Sequence, residues 1–315
     1  AEIEVYKPEN HVRVVTATSL FDGHDAAINI MRRILQDTGV EVIHLGHNRS
    51  VQEIVDAAIE EDVQGVAVSS YQGGHIEFFK YLVDLLRERD ASHIKIFGGG
   101  GGVIVPEEIK VLEAYGVTKI YSPEDGAELG LQGMINHMVR CMDFSTLKEG
   151  EIPLEDLSPQ SKLAVAKLIT AAEQAKASED GHLATLRTEL AKKIGDRKTP
   201  VIGITGTGGA GKSSLTDELI LRFLHDLKDI HVAVISCDPS RRKTGGALLG
   251  DRIRMNAIGN PRLYLRSLAT RGSQTEIPEV LADAVAALKA AGFDLIIAET
   301  AGIGQGESSI ADLVD

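Results

Sequence analysis

Short β-branched runs alternate with amphipathic stretches from residue 12 onward. Val12–Thr16, Glu41–Leu45, Gly65–Ser69, His93–Phe97 and Thr118–Tyr121 read as strands. Helical periodicity falls near 25–37, 51–61, 76–90 and 106–115, with another stretch after Pro123. Ser50 ahead of Val51 and Pro106 at a first turn are start signals for two of these helices. Regular alternation of strand and helix predicts an α/β domain. Its sheet is expected to be parallel and doubly wound, with ligands outside the carboxyl ends of the strands.

The five strands suit a flavodoxin-like sheet, and the pattern changes after them. Leu163, Val165, Leu168 and Ile169, then Leu183, Leu186, Leu190 and Ile194, mark two helices with charged faces and no strand between. A second α/β unit opens with Val201–Thr205 as strand, a glycine-rich loop and a helix over 212–226. Further strands are expected at 231–236 and 294–299. The expected division is therefore 1–142, a helical linker over 143–199, and a domain over 200–315. That last domain needs more strands than Asp315 leaves room for, so the chain is expected to be part of a longer protein.

Composition narrows the classes. With 43% hydrophobic and 25% charged residues among 315, two ordinary globular cores are affordable. A net charge of −13 argues against a nucleic-acid partner, whose phosphates want a basic face. Cys141 and Cys237 form no disulfide framework, so a reducing cytoplasm is the expected compartment. No apolar run reaches the roughly 18 residues of a membrane span, and Ala1–Tyr6 lacks the basic and apolar pattern from which a secretory signal would be expected.

Two groups of residues carry chemistry. The first is Asp22-x-His24-x-x-Ala27, Ser69-x-Tyr71 and Gly98-Gly99, all at strand ends of the first domain. Asp22 can hold one ring nitrogen of His24, orienting the ring and raising the basicity of the other nitrogen toward a metal. Ser69 offers a hydroxyl, while Gly98 and Gly99 allow a flat ring close to the backbone. A phosphorelay receiver would need an aspartate where Ser69 and Ser70 stand. A flavin site would use Thr16, Thr18 and Ser19 but leave His24 and the glycine pair without a role. His44, His47 and His75 read as ordinary surface or pocket residues.

The second group is Gly206-Thr207-Gly208-Gly209-Ala210-Gly211-Lys212-Ser213-Ser214, placed between a strand and a helix. That context defines a phosphate-binding loop. Its N–H groups cradle phosphates at a helix N-terminus, Lys212 adds a point charge, and the Ser213 hydroxyl suits Mg2+. Asp238 at a strand end, Asp251 in the glycine-rich stretch 244–254, and Glu299 before Gly302 add acids near it. Residues 244–254 and 302–307 suit mobile switches.

The first pattern, with 41 residues between Ala27 and Ser69 and 26 between Tyr71 and Gly98, resembles the cobalamin-binding module of adenosylcobalamin mutases. Ala27 stands where glycine is usual, and Tyr71 where leucine is usual. The resemblance implies adenosylcobalamin held by Asp22, His24, Ser69, Tyr71, Gly98 and Gly99, with His24 on cobalt. Asp238-Pro-Ser, Gly250-Asp-x-x-Arg254-Met and Glu299-Thr300-x-Gly-x-Gly-Gln305 resemble the G-protein chaperones of methylmalonyl-CoA mutase. That implies GTP/GDP on the loop 206–214, on Thr300 and on Arg254. It also implies Mg2+ through Ser213, Asp238, Asp251 and Glu299, with Lys212 and Glu299 catalytic and Gln305 near the attacking water.

The two modules in this order resemble fused isobutyryl-CoA mutases over roughly residues 10–315. This implies interconversion of isobutyryl-CoA and n-butyryl-CoA, with the acyl-CoA on a (β/α)8 barrel outside this chain. It further implies cofactor loading gated by the GTPase, and a homodimer. Two other readings are methylmalonyl-CoA or another branched acyl-CoA as substrate, and a non-enzymatic cobalamin sensor or carrier with a nucleotide switch.

Overall fold

The computed structural model describes residues 3–178, 181–250, 252, 255–273, 277–301 and 310–315. The chain forms two compact units. One comprises Ala1–Ile59, Val63–Thr146 and Arg241–Leu248; the other comprises Glu60–Asp62, Leu147–Ser240 and Leu249–Asp315.

In the first unit β1 (Arg13–Thr18), β2 (Glu41–His44), β3 (Gly65–Ser69), β4 (Lys95–Gly99) and β5 (Lys119–Tyr121) alternate with five helices. These are α1 (Ala26–Asp37), α2 (Val51–Glu60), α3 (His75–Glu88), α4 (Pro106–Tyr115) and α5 (Pro123–Met142). The sheet runs β5-β4-β3-β1-β2, with a sixth strand at the β2 edge. The pairs among β1 to β5 are parallel, in the expected flavodoxin-like order. Every position of β1 and β3 is buried, as a sheet covered on both faces requires. Val14, Leu35, Phe97, Met134 and Met138 share one core on the α1 and α5 side.

Helix starts follow local chemistry. The Ser50 hydroxyl accepts from the Glu53 N–H at 3.2 Å, and the Glu53 carboxylate accepts from the Ser50 N–H at 3.0 Å. Strand β4 begins later than the sequence suggests and takes Gly98 and Gly99 into the sheet, Ser69 aligning with Gly99.

The sixth strand (Ala247–Leu249) was not foreseen. Residues 244–254 read as mobile, yet the described part is tied down. The Ala247 N–H donates to the Val40 carbonyl, and the Arg241 guanidinium bonds Asp37 and the Gln36 side chain.

With the sixth strand above numbered β8, the second unit holds β6 (Val201–Gly206), β7 (Val232–Asp238), β9 (Leu263–Ala269) and β10 (Leu295–Ala301). These four run parallel in the order β6-β10-β7-β9. Helices α6 (Lys162–Ala177), α7 (His182–Ile194), α8 (Lys212–Asp226) and α9 (Leu281–Ala291) accompany them. Leu168, Ile169, Leu186, Leu190, Leu281 and Leu288 form one core, so both helices of the 143–199 stretch pack inside this unit.

Charge is buried here too. Arg266, in the middle of β9, donates to Glu173 Oε1 at 2.7 Å, to Thr170 Oγ1 at 3.1 Å and to the Ala166 carbonyl at 3.3 Å. The other Glu173 oxygen pairs with Arg271 at 2.5 Å. Removing one partner of a buried pair leaves an uncompensated charge. Glu173→Ala should therefore lower stability by about 3–5 kcal/mol in urea denaturation. A loss below about 1 kcal/mol would show that Arg266 is satisfied without it.

Candidate functional site

The loop after β1 places the first site. Asp22 is fully enclosed, and its carboxylate accepts from the His24 N–H at 2.9 Å, meets His24 Nδ1 at 2.7 Å and accepts from the Tyr71 N–H at 2.5 Å. Burial pushes the Asp22 pKa up, but these bonds outweigh it and hold the carboxyl below its ordinary value. His24 itself is 63% exposed, leaving Nε2 as the ring nitrogen open to a ligand. The Tyr71 ring lies 6.0 Å from the His24 ring. One carboxylate thus joins the loop after β1 to the loop after β3.

Beside this pair lies a cavity of about 330 Å³ in the first unit. Ala27 and Met31 of α1, Ser69 and Tyr71, Gly98 to Gly101, and Met134 and Met138 of α5 are among its walls. The lining is chiefly apolar with few hydroxyls, the pattern of a preformed ligand slot. The Ser69 hydroxyl is 3.0 Å from that of Thr18.

The glycines divide. A Cβ on Gly98 would strike Ile120 and Phe79 at 2.5 and 2.6 Å, so packing on the α3 side requires this glycine. On Gly99 it would meet the Tyr121 carbonyl at 3.7 Å, an ordinary contact, so packing does not demand glycine there. Sequence reasoning missed Gly100, whose Cβ would lie 1.9 Å from the Ser70 carbonyl oxygen, and the methionine wall. The Gly98–Gly102 run and the spacing of Met134 and Met138 were the available signals. His44 is held neutral: burial, with Arg32 adding to it, lowers its pKa to about 4.

The second site is built on β6 and α8. Gly209 and Gly211 take φ of +80° and +86°, which L side chains rarely adopt, and α8 starts at Lys212. Lys212 Nζ donates back to the Gly206 and Thr207 carbonyls at 2.6 and 3.1 Å. The ammonium is thereby drawn across the loop. The Ser213 hydroxyl donates to Glu299 Oε1 at 2.9 Å, and Thr216 donates to Oε2 at 3.1 Å. Gly208, Ala210 and Ser214 belong to the same loop and first turn.

Asp238 ends β7 and accepts from the Gly250 N–H at 2.9 Å. Thr300 is enclosed in β10 at 2% exposure, between Thr205 and Cys237. Asp251, Arg254 and residues 302–307 lie outside the described residues, and with them the rest of the expected metal and switch set. Among the described residues no three acids, histidines or cysteines gather as a metal cluster. No described helix is long and apolar enough to cross a membrane.

Comparison with known proteins gives both sites a class. Residues 12–125 match the model of the B12 binding domain, and residues 165–315 match that of the methylmalonyl-CoA mutase-associated GTPase MeaB. The chain is therefore a cobalamin-binding domain joined to a GTPase domain of that type.

It is 60% identical over 313 residues to a fused isobutyryl-CoA mutase of Geobacillus kaustophilus, covering 99% of this chain and 29% of that protein. It is 61% identical over 309 residues to one of Cupriavidus metallidurans, covering 98% and 28%. A putative GTPase of Pyrococcus horikoshii is 39% identical over 163 residues, 51% of this chain and 49% of its own. The chain corresponds in sequence to the part of the fused isobutyryl-CoA mutases that carries these two domains. It spans under a third of those relatives' length.

Proposed function

We propose that this chain is the cofactor-binding and cofactor-gating part of an adenosylcobalamin-dependent acyl-CoA mutase, interconverting isobutyryl-CoA and n-butyryl-CoA. Residues 1–142 bind cobalamin, 200–315 bind and hydrolyse GTP, and 143–199 link them through two helices whose apolar faces belong to the second unit's core. The acyl-CoA binds to a barrel in the remainder of the protein, which works as a homodimer in the cytoplasm. The observation that carries this reading is the Asp22–His24 pair beside an apolar cavity, in a chain that also holds a phosphate-binding loop.

The residues fit the cofactor. His24 presents a free nitrogen for cobalt, Asp22 fixes its tautomer, and the cavity suits the displaced benzimidazole tail, with Ser69 as its hydroxyl partner. Tyr71 and Gly99, which line the same cavity, would border the cofactor. When bound, adenosylcobalamin supplies an organic radical by cobalt–carbon homolysis; the protein binds, orients and shields it. In the GTPase domain the loop 206–214 holds phosphates and Lys212 neutralises them. Ser213, Asp238, Asp251 and Glu299 serve Mg2+, with Arg254 and Thr300 at the nucleotide.

A switch joined to a cofactor domain earns its place only if its state alters cofactor binding. GDP and GTP-analogue affinities, measured by calorimetry with and without adenosylcobalamin, should differ by roughly 5- to 150-fold in at least one nucleotide state. Identical affinities in all four conditions would reduce the fusion to co-localisation.

A further inference from the structure

Phe21 is the most exposed large apolar side chain among the described residues, at 83%. It also has a φ of +64°. The other described non-glycine residues in that region are Asn48, Asp62, Asp90, Asp156 and Arg271, all polar. Asparagine and aspartate tolerate the left-handed region; a bulky aromatic is an outlier there. Stability alone would place glycine at this position, since it relieves both the backbone and the exposed ring.

The conformation is nevertheless enforced. The Phe21 N–H donates to Asn48 Oδ1 at 2.8 Å, and the Asn48 N–H donates to the Asp22 carbonyl at 3.2 Å. Asp22 in turn holds the His24 ring. The loop that aims the imidazole therefore also drives a phenyl ring out into solvent, three residues before it. Strain maintained in this way clusters at active sites and ligand clamps.

We infer that Phe21 seats the corrin ring: its phenyl packs against the macrocycle of a cobalamin whose cobalt meets His24. The contact rests on the cobalamin reading above. A flat macrocycle with apolar faces matches a rigid ring offered beside the ligand loop, and covering the phenyl recovers hydrophobic energy that solvent exposure now forfeits.

The test uses the complete protein, titrated with adenosylcobalamin and followed by absorbance, with thermal melting of the cobalamin-free form. Phe21→Gly should bind roughly 10-fold more weakly while its melting temperature holds or rises by about 1–3 °C. Phe21→Leu, which keeps most of the apolar bulk, should lose only about 3-fold. Affinity in Phe21→Gly within about 2-fold of the parent would overturn the inference. So would a melting temperature lowered by several degrees, because the phenyl would then be structural. If the parent itself fails to bind adenosylcobalamin, the cobalamin reading falls and this contact with it. If the parent binds but Phe21→Gly binds as well, only the contact falls.

Discussion

Lys212→Ala should weaken binding of a non-hydrolysable GTP analogue by about 100-fold, the largest effect expected in the GTPase domain. The Gly206 and Thr207 carbonyls already hold the ammonium at the loop whose N–H groups cradle phosphates. Removing it takes away a charge and its bonds to both carbonyls, of which Thr207 keeps the Ala210 N–H as donor. Glu299→Gln should behave differently. Its carboxylate gathers the Ser213 and Thr216 hydroxyls, and a metal there matters most as charge develops in the transition state. Binding should stay within about 10-fold, while Mg2+-dependent hydrolysis falls by roughly 100-fold. Calorimetry and phosphate release separate the two. Equal affinity in the parent and in Lys212→Ala would refute the assignment of the lysine.

His24→Ala should abolish the nitrogen-ligated form of bound Co(II) cobalamin, seen in paramagnetic resonance as loss of the axial nitrogen coupling. Because the ring is exposed and bonded only through Nδ1 among its described contacts, the substitution leaves the core intact and circular dichroism should not change. Asp22→Asn should act in the same direction with a loss of about 10- to 100-fold in affinity, the range for partners that orient a metal ligand. The buried carboxylate also holds the Tyr71 N–H, so an amide that turns its NH2 toward that donor adds a clash. A nitrogen coupling unchanged in His24→Ala would assign cobalt to another ligand.

Much of this was legible in the residues, for reasons that differ by element. Strands β1 to β5 are apolar runs in a parallel sheet buried on both faces, and such runs announce themselves. Asp22, His24, Ser69 and Gly99 share an edge because every strand of that sheet ends on the same side. Strand β9 was not read because Arg266 interrupts its apolar run. Glu173, Thr170 and the Ala166 carbonyl, all distant in sequence, make that arginine tolerable inside.

Helix α9 escaped for the opposite reason. Leu281, Ala284, Ala287, Leu288 and Ala291 are all buried, and so are Asp283, Val285 and Ala290, so no polar face marks its period. The need for Gly98 lies in Phe79 and Ile120, which no local spacing connects to it.

The interleaving of the two units bears on how the protein can be taken apart. The first unit includes Arg241–Leu248, and the second includes Glu60–Asp62. A fragment ending at residue 142 would keep β1 to β5 but lose β8, baring the edge of β2 to strand pairing with other molecules. It would also carry Glu60 and Glu61 without the Arg252 guanidinium that bonds both, and the fragment from 200 onward would hold that arginine without its acids. The cobalamin and nucleotide halves of this chain are therefore not modules that one cut can recover, whether by a protease, by cloning or by a recombination event.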